Sequence, residues 1–272
     1  MQPRALLSAH GLRPRKRLGQ HFLVDDAAAA RIAETAVQSG RRILEIGAGT
    51  GTLTRALLDA GADLTALEID PALVAVARSR GDLAAADLVQ ADALDYDYTA
   101  YARGGAWTVA GNLPYNIATP LVTSLCEMEN GPIALVVMVQ RDVAARMNAR
   151  PGTPAYGSLS VAVRYAMRVR TVMTLGSGAF FPAPKVESAV LSMTRRDAPA
   201  VAPHDRALFW KVVRGAFAYR RKTLVNSLVL ALVLPRARVE RAVRAADIPL
   251  EQRGERLDLD DFAKLADALA EG

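Results

Sequence analysis

Short apolar runs alternate with amphipathic segments through the first two thirds of the chain, and few folds accept that rhythm. "RRILEIG" is followed by "LTRALLDAG", "LTALEID" by "PALVAVARS", "WTVAGNL" by "TPLVTSLCEM" and "IALVVMVQ" by "RDVAARM", with "DLVQADAL" as a further run. Continuous apolar runs suit strands buried on both faces, and apolar positions at helical spacing suit helices laid over them. The pattern predicts an α/β fold with a parallel, doubly wound sheet between helices. Two later runs, "VRTVMTL" and "ESAVLSMTRR", read as strands antiparallel at the end of that sheet. Gly61 after "LLDA" reads as a helix C-cap, and Thr119 before Pro120 as an N-cap and first helical residue.

The rhythm stops at "RRDAPAVAPHD", residues 195–205, where prolines and small residues mark a linker. Beyond it, "ALFWKVVRGAFAYRRKTLVNSLVLALVL", "RARVERAVRAA" and "LDLDDFAKLADALAE" carry apolar residues at helical spacing. The expected division is therefore an α/β domain over 1–198 and a small all-helical domain over 199–272. With 272 residues, 51% of them hydrophobic, the chain can bury a core in each, and no internal repeat is visible.

Lysine and arginine number 34 against 28 acids, a net charge of +6 that favours a polyanionic partner. The first 24 residues hold Arg4, Arg13, Arg15, Lys16 and Arg17 and no acid. They read either as a solvated tail or as an arm that contacts phosphates. The single cysteine, Cys126, excludes an internal disulfide and reads as a small core residue. No run reaches the roughly 18 apolar residues of a membrane helix, and the first residues lack the apolar block of a secretory signal. A cytoplasmic monomer with no membrane partner is expected.

"LEIGAGTGTL" places Gly47, Gly49 and Gly51, preceded by Glu45, where a strand turns into a helix. Glycine there lets a ligand approach the backbone. The spacing is G-x-G-x-G, not the G-x-G-x-x-G of dinucleotide binders, because position 52 is Thr. It resembles the S-adenosylmethionine (SAM) loop of class I methyltransferases. Glu68, about twenty residues on at the end of the next run, can accept both hydroxyls of a ribose. Asp92, in "VQADAL", suits the exocyclic amine of the cofactor's adenine. Taken singly, either acid is better explained as a surface turn residue, and it is the pair at this spacing that favours SAM.

"GNLPYNIATP" sets Asn112, Leu113, Pro114 and Tyr115 directly after "WTVA". An adenine N6 amine is a weak nucleophile, because its lone pair is delocalised into the ring. The Asn112 amide oxygen can accept one N6 hydrogen and the Leu113 carbonyl the other, while Pro114 stiffens the turn and Tyr115 stacks on the base.

"NLPY" fits the [NDS]-[LIP]-P-[YF] mark of enzymes that methylate amide or ring amines. With "KRLGQHFL", "VQRDVAARM", "AYGSLSVAVRY", "FFPAPKVESAV" and "AFAYRRKTLVNSL", it makes the chain resemble the KsgA/RsmA family of small-subunit rRNA adenine dimethyltransferases, from about Arg13 to "GERLDLDDFAKLA". The resemblance implies a Rossmann-like class I SAM-dependent methyltransferase domain followed by a helical domain that recognises rRNA. It implies dimethylation of N6 on two adjacent adenosines near the 3′ end of 16S rRNA, in an immature small subunit. His21 and Leu23 would then join Gly47, Glu68, Asp92 and Asn112 around SAM, although the family pattern has Asn where this chain has His21. Phe181 would sandwich the target base opposite Tyr115. Arg220, Arg221 and Lys222, with Arg214 on the same segment, would hold rRNA phosphates, a plainer alternative being a solvated helix face. No metal site is expected, since His10 and His204 have no ligand spacing to His21. The competing readings are a large-subunit rRNA methyltransferase of the erythromycin-resistance type and an assembly factor that acts by binding.

Overall fold

A computed structural model describes residues 2–271, apart from the side chain of Lys16. Two compact units emerge. The first comprises residues to Ala144 together with Arg168–Arg195, and the second residues 145–167 together with those from Arg196 on.

The first unit opens with helix α1 (Pro3–Ala9) and a two-residue strand β1 (Phe22–Leu23). The expected alternation follows: α2 (Asp26–Ser39), β2 (Arg42–Ile46), α3 (Thr52–Asp59), β3 (Asp63–Glu68), α4 (Pro71–Arg78), β4 (Asp87–Gln90), α5 (Tyr98–Ala102), β5 (Thr108–Asn112), α6 (Ala118–Glu127), β6 (Ala134–Gln140) and α7 (Arg141–Met147). After α8 (Ser158–Ala166) come β7 (Met167–Leu175), β8 (Phe180–Phe181) and β9 (Ser188–Arg195). The large sheet runs β4-β3-β2-β5-β6-β9-β7. Strands β4 to β6 are parallel neighbours, and β9 joins β6 antiparallel, as its late position in the sequence suggested.

Chain order explains where a ligand can sit. From β2 the chain builds outward through β3 to β4, then returns to the other side of β2 with β5. Helices departing to opposite faces leave a crevice at the carboxyl ends of β2 and β5, the switch point of such sheets. Ile32, Ala33 and Ala36 of α2 are fully buried with Ile43, Leu57, Ala110 and Val136, so the crevice stands on a rigid core.

Local signals held to different degrees. Gly61 lies one residue past the Ala60 C-cap, at φ +84°, and its N–H bonds the Leu58 carbonyl. Helix α6 starts two residues earlier than Thr119–Pro120 suggested, with Ile117 as its N-cap. The Ile117 and Ala118 amides both bond the Pro114 carbonyl, so the turn runs straight into the helix. Pro120 then falls in the first turn, where its missing N–H costs no helical bond.

The second unit is helical: α8, then α9 (Arg206–Ala218), α10 (Leu224–Leu232), α11 (Arg236–Ala245) and α12 (Leu259–Glu271). A single cut near residue 198 does not describe it, because 145–167 belong here. The reason is aromatic packing: Tyr165 meets Phe209 and Trp210 at ring separations of 5.4 and 5.0 Å, and Tyr156 meets Phe217 at 5.8 Å. The Tyr156 hydroxyl also donates to the Leu257 carbonyl at 2.9 Å. The apolar run of "ALFWKVVRGAFAYRRKTLVNSLVLALVL" is two helices, since Thr223 caps α10 through a bond from the Asn226 amide.

Candidate active site

The main cleft of the first unit lies at the switch point and gathers the carboxyl ends of four parallel strands. Between β2 and α3, Gly47, Gly49 and Gly51 take φ values of +78°, +57° and +79°, which side chains with a Cβ rarely adopt. The Gly47 and Ala48 amides donate to the Leu67 carbonyl at 2.8 and 3.0 Å, tying the loop to the end of β3. A Cβ on Gly51 would meet Leu83 at 2.6 Å, whereas one on Gly47 would make ordinary contact with the Asn112 carbonyl and Pro114 at 3.8 Å. The loop is thus packed tightly at Gly51, while Gly47, Ala48, Gly49 and Thr50 line the cleft.

Glu68 ends β3 and is buried. Its Oε2 accepts from the Gly49 amide at 2.8 Å and its Oε1 from the Asp70 amide at 2.9 Å. Burial raises its pKa and the two backbone donors oppose the rise. Each oxygen keeps a lone pair for a further donor. Asp92, after β4, lines the same cleft and accepts from the Leu94 amide at 2.8 Å, which fixes the carboxylate at the rim.

Asn112 closes β5. Its Nδ2 donates to the His21 carbonyl at 2.7 Å, so Oδ1 is left as an acceptor at the cleft. The Leu113 amide continues the sheet ladder to the Met138 carbonyl, and among the described residues no donor is bonded to the Leu113 carbonyl. Two oxygens of cleft-lining residues, Asn112 Oδ1 and the Leu113 carbonyl, are thus left available as acceptors. Pro114 and Tyr115 line the cleft beside them. Burial raises the pKa of the Tyr115 hydroxyl, and Ser188 opposes the rise.

His21 comes from the loop before β1. Its Nδ1 lies 2.7 Å from the Pro182 carbonyl and so carries the proton in the bond, and its ring stacks on Tyr115 with centroids 5.2 Å apart. Leu23 is buried in β1 and also lines the cleft. The structure thus brings together His21, Leu23, Gly47, Glu68, Asp92, Asn112, Leu113, Pro114 and Tyr115.

It does not bring Phe181 there. Strand β1 pairs with β8, Phe22 opposite Phe181, and this register turns the Phe181 ring into a small apolar cluster with Leu7, Phe22 and Leu73, 5.8 Å from the Arg4 guanidinium. Its neighbour Phe180 is buried in the main core. The ring on Tyr115 is that of His21. In the second unit Arg220, Arg221 and Lys222 are exposed, but they form the turn after α9 and not a helix face, while Arg214 is exposed on α9.

Glu45, read in the sequence only as a neighbour of the loop, has a larger part. It is 1% exposed, lines the cleft, and neither of its oxygens has a hydrogen-bond partner. Burial pushes its carboxyl up to about 8, with Thr54 opposing the rise and the charge of Glu68 adding to it. A buried, unpartnered carboxyl is costly unless a ligand group completes it. Gln20 and Asn116 also line the cleft, and only the structure could reveal them.

The reversed last strand, the glycine cradle and the strand-end acids define a class I methyltransferase, and the asparagine–proline–tyrosine turn makes it one that acts on a planar amine. The chain belongs to the family described as ribosomal RNA adenine dimethylase, whose model matches residues 11–271. The ribosomal RNA small subunit methyltransferase A of Streptococcus mutans is 40% identical over 278 residues, spanning 98% of this chain and 96% of its own. That of Magnetococcus marinus is 43% identical over 265 residues, spanning 96% and 94%. Among solved structures, a dimethyladenosine transferase from Plasmodium falciparum shares the fold, with a TM-score of 0.71 at 23% identity over 90% of this chain and 96% of its own. The 23S rRNA methyltransferase ErmE gives 0.61 at 26% identity, over 92% and 99%.

Proposed function

We propose that this chain transfers two methyl groups from SAM to N6 of each of two adjacent adenosines near the 3′ end of 16S rRNA, acting as a monomer in the cytoplasm on an immature small subunit. The observation that supports the reading is the Asn112 amide, whose donor end is committed to the His21 carbonyl, which leaves its oxygen as an acceptor on a residue that lines the cleft next to Leu113.

The residues present fit SAM. A glycine loop that lines the cleft lets a ligand approach the backbone, the Glu68 carboxylate suits ribose hydroxyls, Asp92 suits an adenine amine, and the unpartnered Glu45 carboxyl can receive a cationic or N–H donor. His21 and Leu23 would complete the wall. When bound, SAM supplies a methyl carbon made electrophilic by its sulfonium.

The protein's own contribution is to make a poor nucleophile better. Two acceptors on one exocyclic amine align both N–H bonds and draw the lone pair out of conjugation, and neither oxygen removes a proton beforehand. After the first transfer one N6 hydrogen remains, so one acceptor still orients the amine for the second. A base that leaves its stack loses stacking energy, and the Tyr115 ring offsets part of it. The exposed cations Arg214, Arg220, Arg221 and Lys222 would contact phosphates, making the helical unit a recognition element.

The roughly 40% identity to small-subunit enzymes, against 26% to the large-subunit ErmE, favours the small-subunit substrate. Labelled SAM with immature small subunits, mature small subunits, large subunits and naked rRNA tests it. Label recovered as N6,N6-dimethyladenosine from 16S rRNA of immature subunits is the expected outcome. Label in 23S rRNA, or none anywhere despite tight subunit binding, would replace this reading by one of its two rivals.

A further inference from the structure

The basic N-terminal arm does more than its charge suggested. Asp70 stands two residues beyond Glu68 and is only 4% exposed, yet two side chains and a backbone amide converge on it. Arg15 meets its Oδ1 at 3.0 Å, Gln20 donates Nε2 to its Oδ2 at 3.2 Å, and the Ala72 amide at the start of α4 donates to Oδ1 at 3.1 Å. The Arg15 amide in turn donates to the Gln20 side-chain oxygen at 2.8 Å, closing a ring of contacts. On the other side, the Asp70 amide bonds the Glu68 carboxylate, whose second oxygen holds Gly49 of the glycine loop.

The stretch this ring fastens is a wall of the cleft, since Leu18, Gly19, Gln20, His21, Phe22 and Leu23 all line it. The ends of the arm are anchored separately: Leu7 and Phe22 pack with Leu73, and Leu12 lies against them. Between them, Asn112 and Pro182 hold His21, and the Arg15–Asp70–Gln20 ring holds the residues before it. A guanidinium on a buried carboxylate is costly to break from one side, because the remaining charge loses its partner in a site that water reaches poorly.

We propose that Asp70 is a positioning residue for the cofactor: through Arg15 and Gln20 it clamps residues 15–23 as a strap over the SAM cleft, and through its amide it sets the Glu68 carboxylate beneath. Arg15 is thereby assigned to the strap, not to an rRNA phosphate. The proposal rests on the reading of the cleft as a SAM site, but the clamp itself exists without ligand and can be read without it.

Four proteins decide it: the parent, Asp70→Asn, which keeps the shape and the cap on Ala72 but removes the charge, Arg15→Gln, at a side chain 39% exposed, and the double variant, with circular dichroism of each checking that it folds. The first measurement is tryptic cleavage after the exposed Arg17 in the unliganded chain. Both variants should be cut about tenfold faster than the parent, and the double variant no faster than the singles, since coupled partners are not additive. The second is SAM dissociation by stopped flow, which should quicken about tenfold in both, raising KM for SAM while kcat at saturating SAM stays at the parent value. Unchanged cleavage in both variants overturns the clamp. Faster SAM release from Asp70→Asn with parental cleavage also overturns it, because Asp70 would then act through Glu68 alone. A parent that is protected from trypsin but binds no SAM would sink the reading of the cleft and leave the clamp standing.

Discussion

The Asn112 side chain has one donor end and one acceptor end, and the 2.7 Å bond to the His21 carbonyl commits the donor. Asn112→Ala should therefore lower the methyl-transfer rate by on the order of 10²–10³-fold, as for other lost electrostatic contacts to a reacting group, while SAM affinity changes only a few-fold. Single-turnover kinetics beside calorimetry of SAM binding separates the two, and near-parental transfer would remove the assigned role. Glu45 gives a second outcome at this scale. Its carboxyl ordinarily titrates near 4.5, and in the folded protein burial raises that to about 8. Between those values the folded chain holds a proton that the unfolded chain has released, so stability falls as pH rises through the window and the contribution is fully present only below about 4.5. Glu45→Gln, neutral and of the same shape, should lose this dependence. Urea midpoints of parent and variant, followed across the window, should diverge in favour of the variant as pH rises; parallel curves would contradict it.

Turns between strand and helix carry the site, and one of them shows what an element demands of its residues. Gly51 must hold φ +79° with Leu83 2.6 Å from where a Cβ would stand, whereas Gly105 holds φ +101° with nothing within 4 Å. Gly105→Ala should cost about 1 kcal/mol of backbone strain, and Gly51→Ala about 2–3 kcal/mol with weakened SAM binding, because Leu83 must also yield. Chemical denaturation of both variants checks the difference, and equal losses would mean that the loop gives way freely. The strands of the parallel sheet were legible because each is an apolar run followed by a helical period, and the glycine loop, the strand-end acids and the asparagine turn sit where those periods change. What stayed hidden depends on distant pairing. Two-residue strands such as β1 and β8 have no period to detect, so nothing in "FFPAPKV" indicated that Phe181 pairs with Phe22 and packs against Leu7, Phe22 and Leu73. The role of Glu45 was equally invisible, because a carboxylate's isolation is a property of its surroundings and not of its neighbours in sequence.

At the scale of the whole molecule, the proposed function divides chemistry from recognition between the two units. Replacing Arg220, Arg221 and Lys222 by Ala should weaken subunit binding and flatten its log–log salt dependence by up to about three units, with SAM affinity unchanged. Filter binding across a salt series reads the slope, and a parental slope would make the turn after α9 a solvated surface. The division is not colinear with the chain, since 145–167 leave the first unit before its last strands are made. Removing everything past residue 198 would strand Tyr156 and Tyr165 without Phe217, Phe209 and Trp210. Such a truncation should be insoluble on expression, and joining Ala144 to Arg168 through a short linker should restore soluble protein. The same detour bears on biosynthesis. As the chain leaves the ribosome, β6 waits for its partner β9 across the whole excursion, and Tyr156 and Tyr165 emerge dozens of residues before the rings that cover them. During that interval the nascent protein exposes an open sheet edge and two uncovered aromatic faces together, the combination that holding chaperones recognise.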